Sequence, residues 1–182
     1  MPSFEFFLAG DLYESKEQHF VDCIDVALIL FSIFTLQIWA FEEHGMEVVV
    51  LDGTPEYATD PNSAIPVISA ALAANSGAKI LVHTGGQMLG NAETFAVAAG
   101  YGPNELLQIG FDTSPQVMSG FVNGFVHLTS DQQPFLQGYL PVLSLCQMKV
   151  MGLGALNQDT GAGFVTTENY ESVMSLANAG LR

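Results

Sequence analysis

Short runs of apolar, mostly β-branched residues alternate with helix-forming segments from residue 46 onward. Such runs are typical of buried strands when turn-forming residues bound them. Strands that alternate with helices favour a parallel sheet with helices on both faces, so we expect an α/β fold. The predicted strands cover residues 46–52, 80–82, 106–111, 125–129 and 161–166.

Helix-capping residues and glycines place the helices between these strands. Ser114 precedes a proline and an apolar stretch, so it predicts a capped helix to about Val122. Asn62 or Ser63 is an equivalent candidate cap for a helix that ends at Ala74. The other predicted helices cover residues 88–99, 134–151 and 169–179.

Polar side chains follow several of the predicted strands, at the point where each strand ends. They are Asp52, Thr84, Asp112 and the segment 131–133. In open parallel sheets, ligands bind beyond the carboxyl ends of the strands. The topology alone therefore predicts a ligand site at this edge of the sheet.

The chain is strongly acidic, with 19 Asp and Glu against 4 Lys and Arg and a net charge of −15. Such a surface repels phosphate backbones, so we expect no nucleic-acid partner. It also disfavours anionic ligands and anionic membranes, whereas an uncharged sugar meets no such repulsion. The simpler alternative is that the acidity keeps the protein soluble.

Signals for catalysis, metal binding or disulfides are weak. The two cysteines, Cys23 and Cys146, give no disulfide framework, and the four histidines show no zinc-ligand spacing. No nucleophile elbow or zinc-protease motif is present. We therefore expect no enzyme, no cofactor and no bound metal.

Residues 26–41 form an apolar run without a charged side chain. We expect a buried helix there; a membrane or signal-like segment, or an N-terminal part foreign to the rest, are the alternatives. The first residues lack a basic n-region, which predicts no ordinary signal peptide at this start. We place a boundary after residue 42, with an apolar segment 1–42 of uncertain origin and a lobe at 43–182.

Two segments carry a resemblance to a known family. Residues 109–115 contain Gly-Phe-Asp at a strand end, and residues 130–139 contain Asp-Gln-Gln-Pro with a glycine four positions beyond the proline. They resemble the C-terminal lobe of type I periplasmic sugar-binding proteins, the solute receptors of sugar ABC transporters and relatives of LacI-like effector domains. The resemblance covers roughly residues 43–173. It implies one lobe, with the N-terminal lobe missing or incomplete.

The resemblance assigns sugar contacts to three residues. The Asp of Gly-Phe-Asp is Asp112, and the amide two positions before the proline is Gln132. Thr84 stands where several such receptors carry an Asn, a departure that would change ligand specificity. The residues allow other roles: Asp112 suits a helix cap or turn, and residues 83–87 suit a tight strand-to-helix turn.

Four further residues are weaker candidates. Asp131 and Gln133 are expected to bind ligand or to act as hinge or cap residues. Phe111 and Phe135 would stack on a sugar face, although a core position is the simpler expectation for each.

The resemblance implies binding of a neutral monosaccharide or polyol, with an ABC transporter permease as a further partner. It implies a periplasmic or secreted location. Two alternatives remain: an effector-sensing domain of a LacI-like regulator, and a truncated lobe that binds nothing and self-associates as a homo-oligomer through its exposed face.

Overall fold

The computed structural model describes residues 5–9, 33–161 and 163–182, and a six-stranded sheet forms its centre. The order across the sheet is β2-β1-β3-β4-β5-β6. β3, β4 and β5 are parallel neighbours, whereas β6 is antiparallel to β5 and β1 is antiparallel to both β2 and β3. The predicted α/β fold is confirmed. Four of the six strands, β2, β3, β4 and β5, run in the same direction, whereas β1 and β6 run opposite to them, so the expected parallel sheet is parallel only in part. The strands are β1 (Glu5–Ala9), β2 (Val48–Asp52), β3 (Ile80–His83), β4 (Leu107–Phe111), β5 (Leu128–Asp131) and β6 (Gly163–Thr166).

Helices cover both faces of the sheet, as β3 shows. Leu81 packs with Ile68 of a helix on one face, while its neighbours Ile80 and Val82 pack with Phe41 of a helix on the other. Successive side chains of a strand point to opposite faces, so β3 is buried on both sides. The helices are α1 (Ile33–Glu43), α2 (Ile65–Ala74), α3 (Gly86–Leu89), α4 (Ala92–Ala98), α5 (Pro115–Val122), α6 (Pro134–Met151) and α7 (Tyr170–Asn178), with 3₁₀ turns at Pro55–Ala58 and Pro61–Ala64.

Two predicted helices begin or break elsewhere than expected. The predicted helix at 88–99 is two helices, α3 and α4, because the side chain of Asn91 bonds to the carbonyl oxygen of Gln87. Such a bond competes with the helical hydrogen-bond ladder. Ahead of α2, Asp60 accepts from the Asn62 amide and caps a 3₁₀ turn, so neither Asn62 nor Ser63 is the cap.

Two predicted strands also differ from the structure. β2 was expected to be buried, but Val50 is 43% exposed because the strand lies at the sheet edge with β1 as its neighbour. The strand predicted at 125–129 is β5, shifted to Leu128–Asp131. Gly124 has a φ of 76°, and the amides of Phe125 and Val126 both donate to the Gly120 carbonyl, so the chain is still turning there.

The apolar segment 26–41 is described only from residue 33, where α1 begins. Phe41 is buried at 4% exposure, whereas Trp39 is 51% exposed, so the described part of this helix is half-buried. Within the described ranges, no helix is both long and apolar enough to cross a membrane. The boundary after residue 42 stays a prediction. Before that boundary, β1 is a strand of the central sheet and Phe41 of α1 packs on the same sheet.

The helix α6 has the length that the sequence predicts, and it leads away from the end of β5. It begins at Pro134 and ends before Gly152, which has a left-handed φ of 68°. None of its side chains is buried. This long apolar helix is therefore the least covered element of the described fold.

Candidate functional site

Asp112 lies immediately after β4, at the carboxyl edge of the parallel strands. Its φ is +67°, a left-handed conformation that non-glycine residues seldom adopt. Two contacts to β5 hold it there: its amide donates to the Ser130 carbonyl at 2.9 Å, and its carbonyl accepts from the Thr129 hydroxyl at 2.7 Å. The backbone of Asp112 is therefore held in place by the sheet.

The carboxylate of Asp112 meets the side-chain amide of Gln132. Gln132 Nε2 donates to Asp112 Oδ1 at 2.6 Å. The other oxygen, Oδ2, faces Gly86 so closely that a Cβ atom at position 86 would lie 2.9 Å from it. The structure thus brings together two residues that the sequence places 20 positions apart.

A cleft of about 490 Å³ opens beside Asp112. Its wall consists of small residues and of uncharged polar side chains, with Asp112 as its one acidic member among the described lining residues. Hydroxyls, amides and one carboxylate suit a ligand that is itself uncharged and rich in hydroxyl groups. The lining residues are Thr59, Pro61, Gly86, Gln87, Gly90, Asn91, Asp112, Thr113, Ser114, Gln116 and Pro134.

The cleft contains a residue that sequence reasoning missed. Thr113 is only 8% exposed, and its hydroxyl has no hydrogen-bond partner within the described parts of the chain. A buried hydroxyl without a partner is energetically costly and suits a site that a ligand completes. The signal available in the sequence was its position directly after a strand-end carboxylate.

Thr84 follows β3 and also has a buried hydroxyl without a partner among the described residues. Its neighbour Gly85 is extended, with φ −152°, and precedes α3. Both expectations for Thr84, a ligand contact and a tight strand-to-helix turn, therefore stay predictions. The structure gives no hydrogen bond that joins Thr84 to the Asp112–Gln132 pair.

Asp131 is fully buried, and both of its oxygens are occupied. Oδ2 accepts from Arg182 Nε in an ion pair, and Oδ1 accepts from the backbone amide of Gln133 at 2.9 Å. Gln133 itself is left-handed, with φ 53°, and forms the N-terminal boundary of α6. Asp131 therefore stabilises the turn into α6, whereas Gln133 occupies the N-cap position without a capping side-chain bond; the hinge role of both residues stays a prediction.

The two aromatic candidates differ in their exposure and contacts. Phe111 is the half-buried last residue of β4. Phe135 is 43% exposed on α6, and its ring stacks on Tyr139 with 5.9 Å between centroids. Neither belongs to the described lining of the cleft.

Replacing Arg182 by Met is expected to destabilise the fold by about 2 kcal/mol. The loss comes from leaving the Asp131 carboxylate buried without its cation; a fully buried pair would cost about 3–5 kcal/mol, and Arg182 is 26% exposed. Urea unfolding at neutral pH measures it. The control is Lys79→Met, since Lys79 is exposed. Equal stability of the two variants would contradict the role of the ion pair.

Below this edge, His83 and Gln108 form a buried polar pair between β3 and β4. Gln108 Nε2 donates to the Ala92 carbonyl, so its Oε1 accepts from His83 Nε2 at 2.9 Å. Burial lowers the pKa of His83 to about 4, so the ring is neutral near pH 7. Its role is structural: it ties the two strands that end at Thr84 and Asp112.

Comparisons with known proteins agree with the fold. No family model matches the chain. The xylose/arabinose-binding protein XylF of Sulfolobus acidocaldarius is 38% identical over 64 residues, which are 34% of this chain and 16% of that protein. The chain therefore spans a small part of this relative's length.

Solved structures match a larger part of the chain. A carbohydrate transporter from Acidothermus cellulolyticus, in complex with myo-inositol, is 28% identical with a TM-score of 0.58, and the match covers 68% of this chain and 43% of that one. A solute-binding protein from Burkholderia graminis, in complex with D-arabinose, is 22% identical with a TM-score of 0.54, covering 62% and 40%. Each match spans less than half of the larger protein, as expected for a single lobe.

Proposed function

Since the chain has the fold of one lobe of the type I periplasmic sugar-binding proteins, we propose that it binds a neutral monosaccharide or polyol as part of a sugar ABC transporter receptor. The related proteins are sugar-binding transport proteins, and binding of this kind requires no catalysed reaction. An ABC transporter permease is the further partner that this proposal implies.

The observation that carries the proposal is the Asp112–Gln132 pair beside the cleft. A carboxylate accepts hydrogen bonds from two adjacent sugar hydroxyls, and an amide both donates and accepts. In the described structure Gln132 occupies Oδ1 of Asp112. Oδ2 is then the oxygen we assign to the first sugar hydroxyl, with Gln132 bonding to a neighbouring hydroxyl. Thr84 is a third proposed contact.

The remaining candidates receive secondary roles. Asp131 and Gln133 hold the turn into α6, where β5 ends, and we propose that they are hinge residues. Stacking by Phe111 or Phe135 stays a prediction. Because the described residues form one wall of a two-lobed cleft, we expect sugar binding by this chain alone to be millimolar or weaker.

Asp112→Asn is expected to weaken sugar binding at least tenfold, because the amide replaces one accepting oxygen by a donor. Asn tolerates the left-handed conformation at this position, so the backbone should persist. The measurement is an NMR titration of amide shifts with myo-inositol, D-arabinose and D-xylose, in which the amides of residues 112–114 should move.

Two further variants sharpen this test. Gly86→Ala should weaken binding in the same direction, because the new Cβ displaces the Asp112 carboxylate. Asp52→Asn is the matched control: Asp52 also ends a strand but is exposed at the edge strand β2. A micromolar dissociation constant for this chain alone would contradict the proposal that it supplies only one wall of the sugar site. If the Asp112→Asn variant shows the same sugar-induced changes in amide chemical shifts as the unaltered chain, Asp112 does not have the sugar-binding role that we assign to it.

A further inference from the structure

The turn that carries Gln132 from β5 into α6 is held by hydrogen bonds from side chains. Asp131 Oδ1 accepts from the backbone amide of Gln133 at 2.9 Å. The side-chain amide of Gln137 donates to the Gln132 carbonyl at 2.8 Å. Gln133 has a left-handed φ of 53°, a conformation that a non-glycine residue keeps only where its surroundings hold it. The direction in which Gln132 leaves the sheet therefore depends on the Asp131 carboxylate.

A carboxylate is a costly group at position 131. The side chain is fully buried, and an ionised carboxylate that is removed from water requires a partner of opposite charge. An asparagine would also accept the bond from the Gln133 amide, without needing a cation. The charge of Asp131 therefore makes the turn dependent on Arg182, whose Nε donates to the second oxygen, Oδ2.

The position of Arg182, the one arginine of the chain, is set by the end of α7. The backbone amide of Gly180 donates to the Ala177 carbonyl at 3.1 Å, and that of Leu181 donates to the Leu176 carbonyl at 3.0 Å. With a φ of 69° at Gly180, these two bonds form a Schellman turn, which ends the helix. Ala177 is buried in the core at 1% exposure. Arg182 thus reaches the end of β5 from a helix that is packed on the sheet.

Direct contacts join Arg182 to the cleft. Its partner Asp131 precedes Gln132 in the chain, and Gln132 Nε2 donates to Asp112 Oδ1 at 2.6 Å. Asp112 lines the cleft. Without Arg182, Asp131 would be an unpaired buried charge, and turning it toward water would release the backbone amide of Gln133. The backbone that carries the Gln132 side chain would then lose its fixed direction.

We propose that Arg182 is a positioning residue of the sugar site: it holds the Asp131 carboxylate and thereby fixes the turn that presents Gln132 to Asp112. The proposal rests on the proposed sugar contact of Gln132. Arg182 acts through Asp131 and is not among the described lining residues of the cleft.

The first measurement follows the side-chain amide of Gln132 by NMR and needs no ligand. Arg182→Met is expected to move this signal toward that of a solvent-exposed amide, because the bond to Asp112 weakens. Ile68→Val is the control, since Ile68 is fully buried on α2 and its truncation lowers stability without contact to the turn. An unmoved Gln132 signal in Arg182→Met, or an equal movement in the control, would overturn the proposal.

A double-mutant cycle tests whether Arg182 acts through the carboxylate. In an Asp131→Asn background the turn contains no charge to pair, so adding Arg182→Met should leave the Gln132 signal where Asp131→Asn alone places it. A further displacement would overturn the proposal. This comparison remains decisive even where Arg182→Met alone does not fold.

A titration with myo-inositol distinguishes this proposal from the proposed function. Arg182→Met should bind the sugar about fivefold more weakly than the unaltered chain, as expected for coupled neighbours, and Ile68→Val should bind it equally well. If Arg182→Met binds as tightly as the unaltered chain, the positioning role is wrong while the proposed function stands. If the unaltered chain binds no sugar, the proposed function is contradicted, and the Gln132 signal still decides whether Arg182 positions the turn.

Discussion

The Gly110→Ala variant is expected to lose about 3 kcal/mol of unfolding free energy. A Cβ atom at position 110 would lie 2.6 Å from the backbone oxygen of His83 and 3.3 Å from a methyl group of Leu89. The near contact is backbone in a buried neighbouring strand, so no flexible side chain can move aside. The close approach that glycine permits here joins β4 to β3. Urea unfolding followed by circular dichroism measures the loss.

A second glycine offers the matched control. Gly138 lies in α6, and a Cβ atom there would meet nothing within 4 Å. Gly138→Ala should therefore leave stability unchanged or raise it by up to about 1 kcal/mol, since alanine favours helix. If Gly110→Ala unfolds at the same urea concentration as the unaltered chain, the tight β3–β4 contact is not present in solution.

Stability is expected to fall by about 3 kcal/mol as the pH drops from 6.5 to about 4, through His83 alone. Burial lowers the pKa of this side chain from 6.5 to about 4, so the unfolded chain takes up the proton first. The stability that the neutral His83 ring contributes is therefore fully present above pH 6.5 and is lost as the pH falls from 6.5 to about 4. The pKa of His127 is also lowered by burial, and its effect has the same sign.

The contribution of His83 can be separated from that of other groups by comparison. His83→Gln retains a donor toward Gln108 but cannot titrate in this range. Its unfolding free energy should be lower at pH 7 and should vary less with pH. The measured quantity is the difference in pH slope between the two proteins, obtained from urea unfolding at several pH values. Identical slopes would show that His83 is not buried as a neutral ring.

Local patterns in the sequence predict the elements that local forces dominate. β3 begins with an uninterrupted run of Ile, Leu and Val at residues 80–82, and all four of its residues are buried. Ser114 predicts the start of α5, and its hydroxyl accepts from the Val117 amide. Pairing across long separations is a different matter. The antiparallel insertion of β1 depends on contacts that no local pattern encodes.

The sequence likewise predicts some residues of the candidate site and not others. Asp112 and Gln132 were predicted separately from strand ends and from family resemblance, and parallel topology places such ends together. The ion pair of Asp131 with Arg182 was not predicted, because its partners are 51 residues apart. Thr113 was missed because its burial, and not its residue type, distinguishes it from other loop threonines.

The position of β1 in the sheet has a consequence for the order in which the molecule folds. β1 is the earliest of the six strands in the chain, yet it pairs with β3, where Ala9 meets Ile80. Closing the long loop between Ala9 and Ile80 is expected to be slow. β4 and β5 are separated by a single helix, so their pairing is expected to be faster. Until β1 inserts, β2 and β3 have unpaired edges that face one another. Of the six described strands, the one that precedes the others in the chain is thus expected to be the last to pair, and the sheet would remain open at that gap until it does.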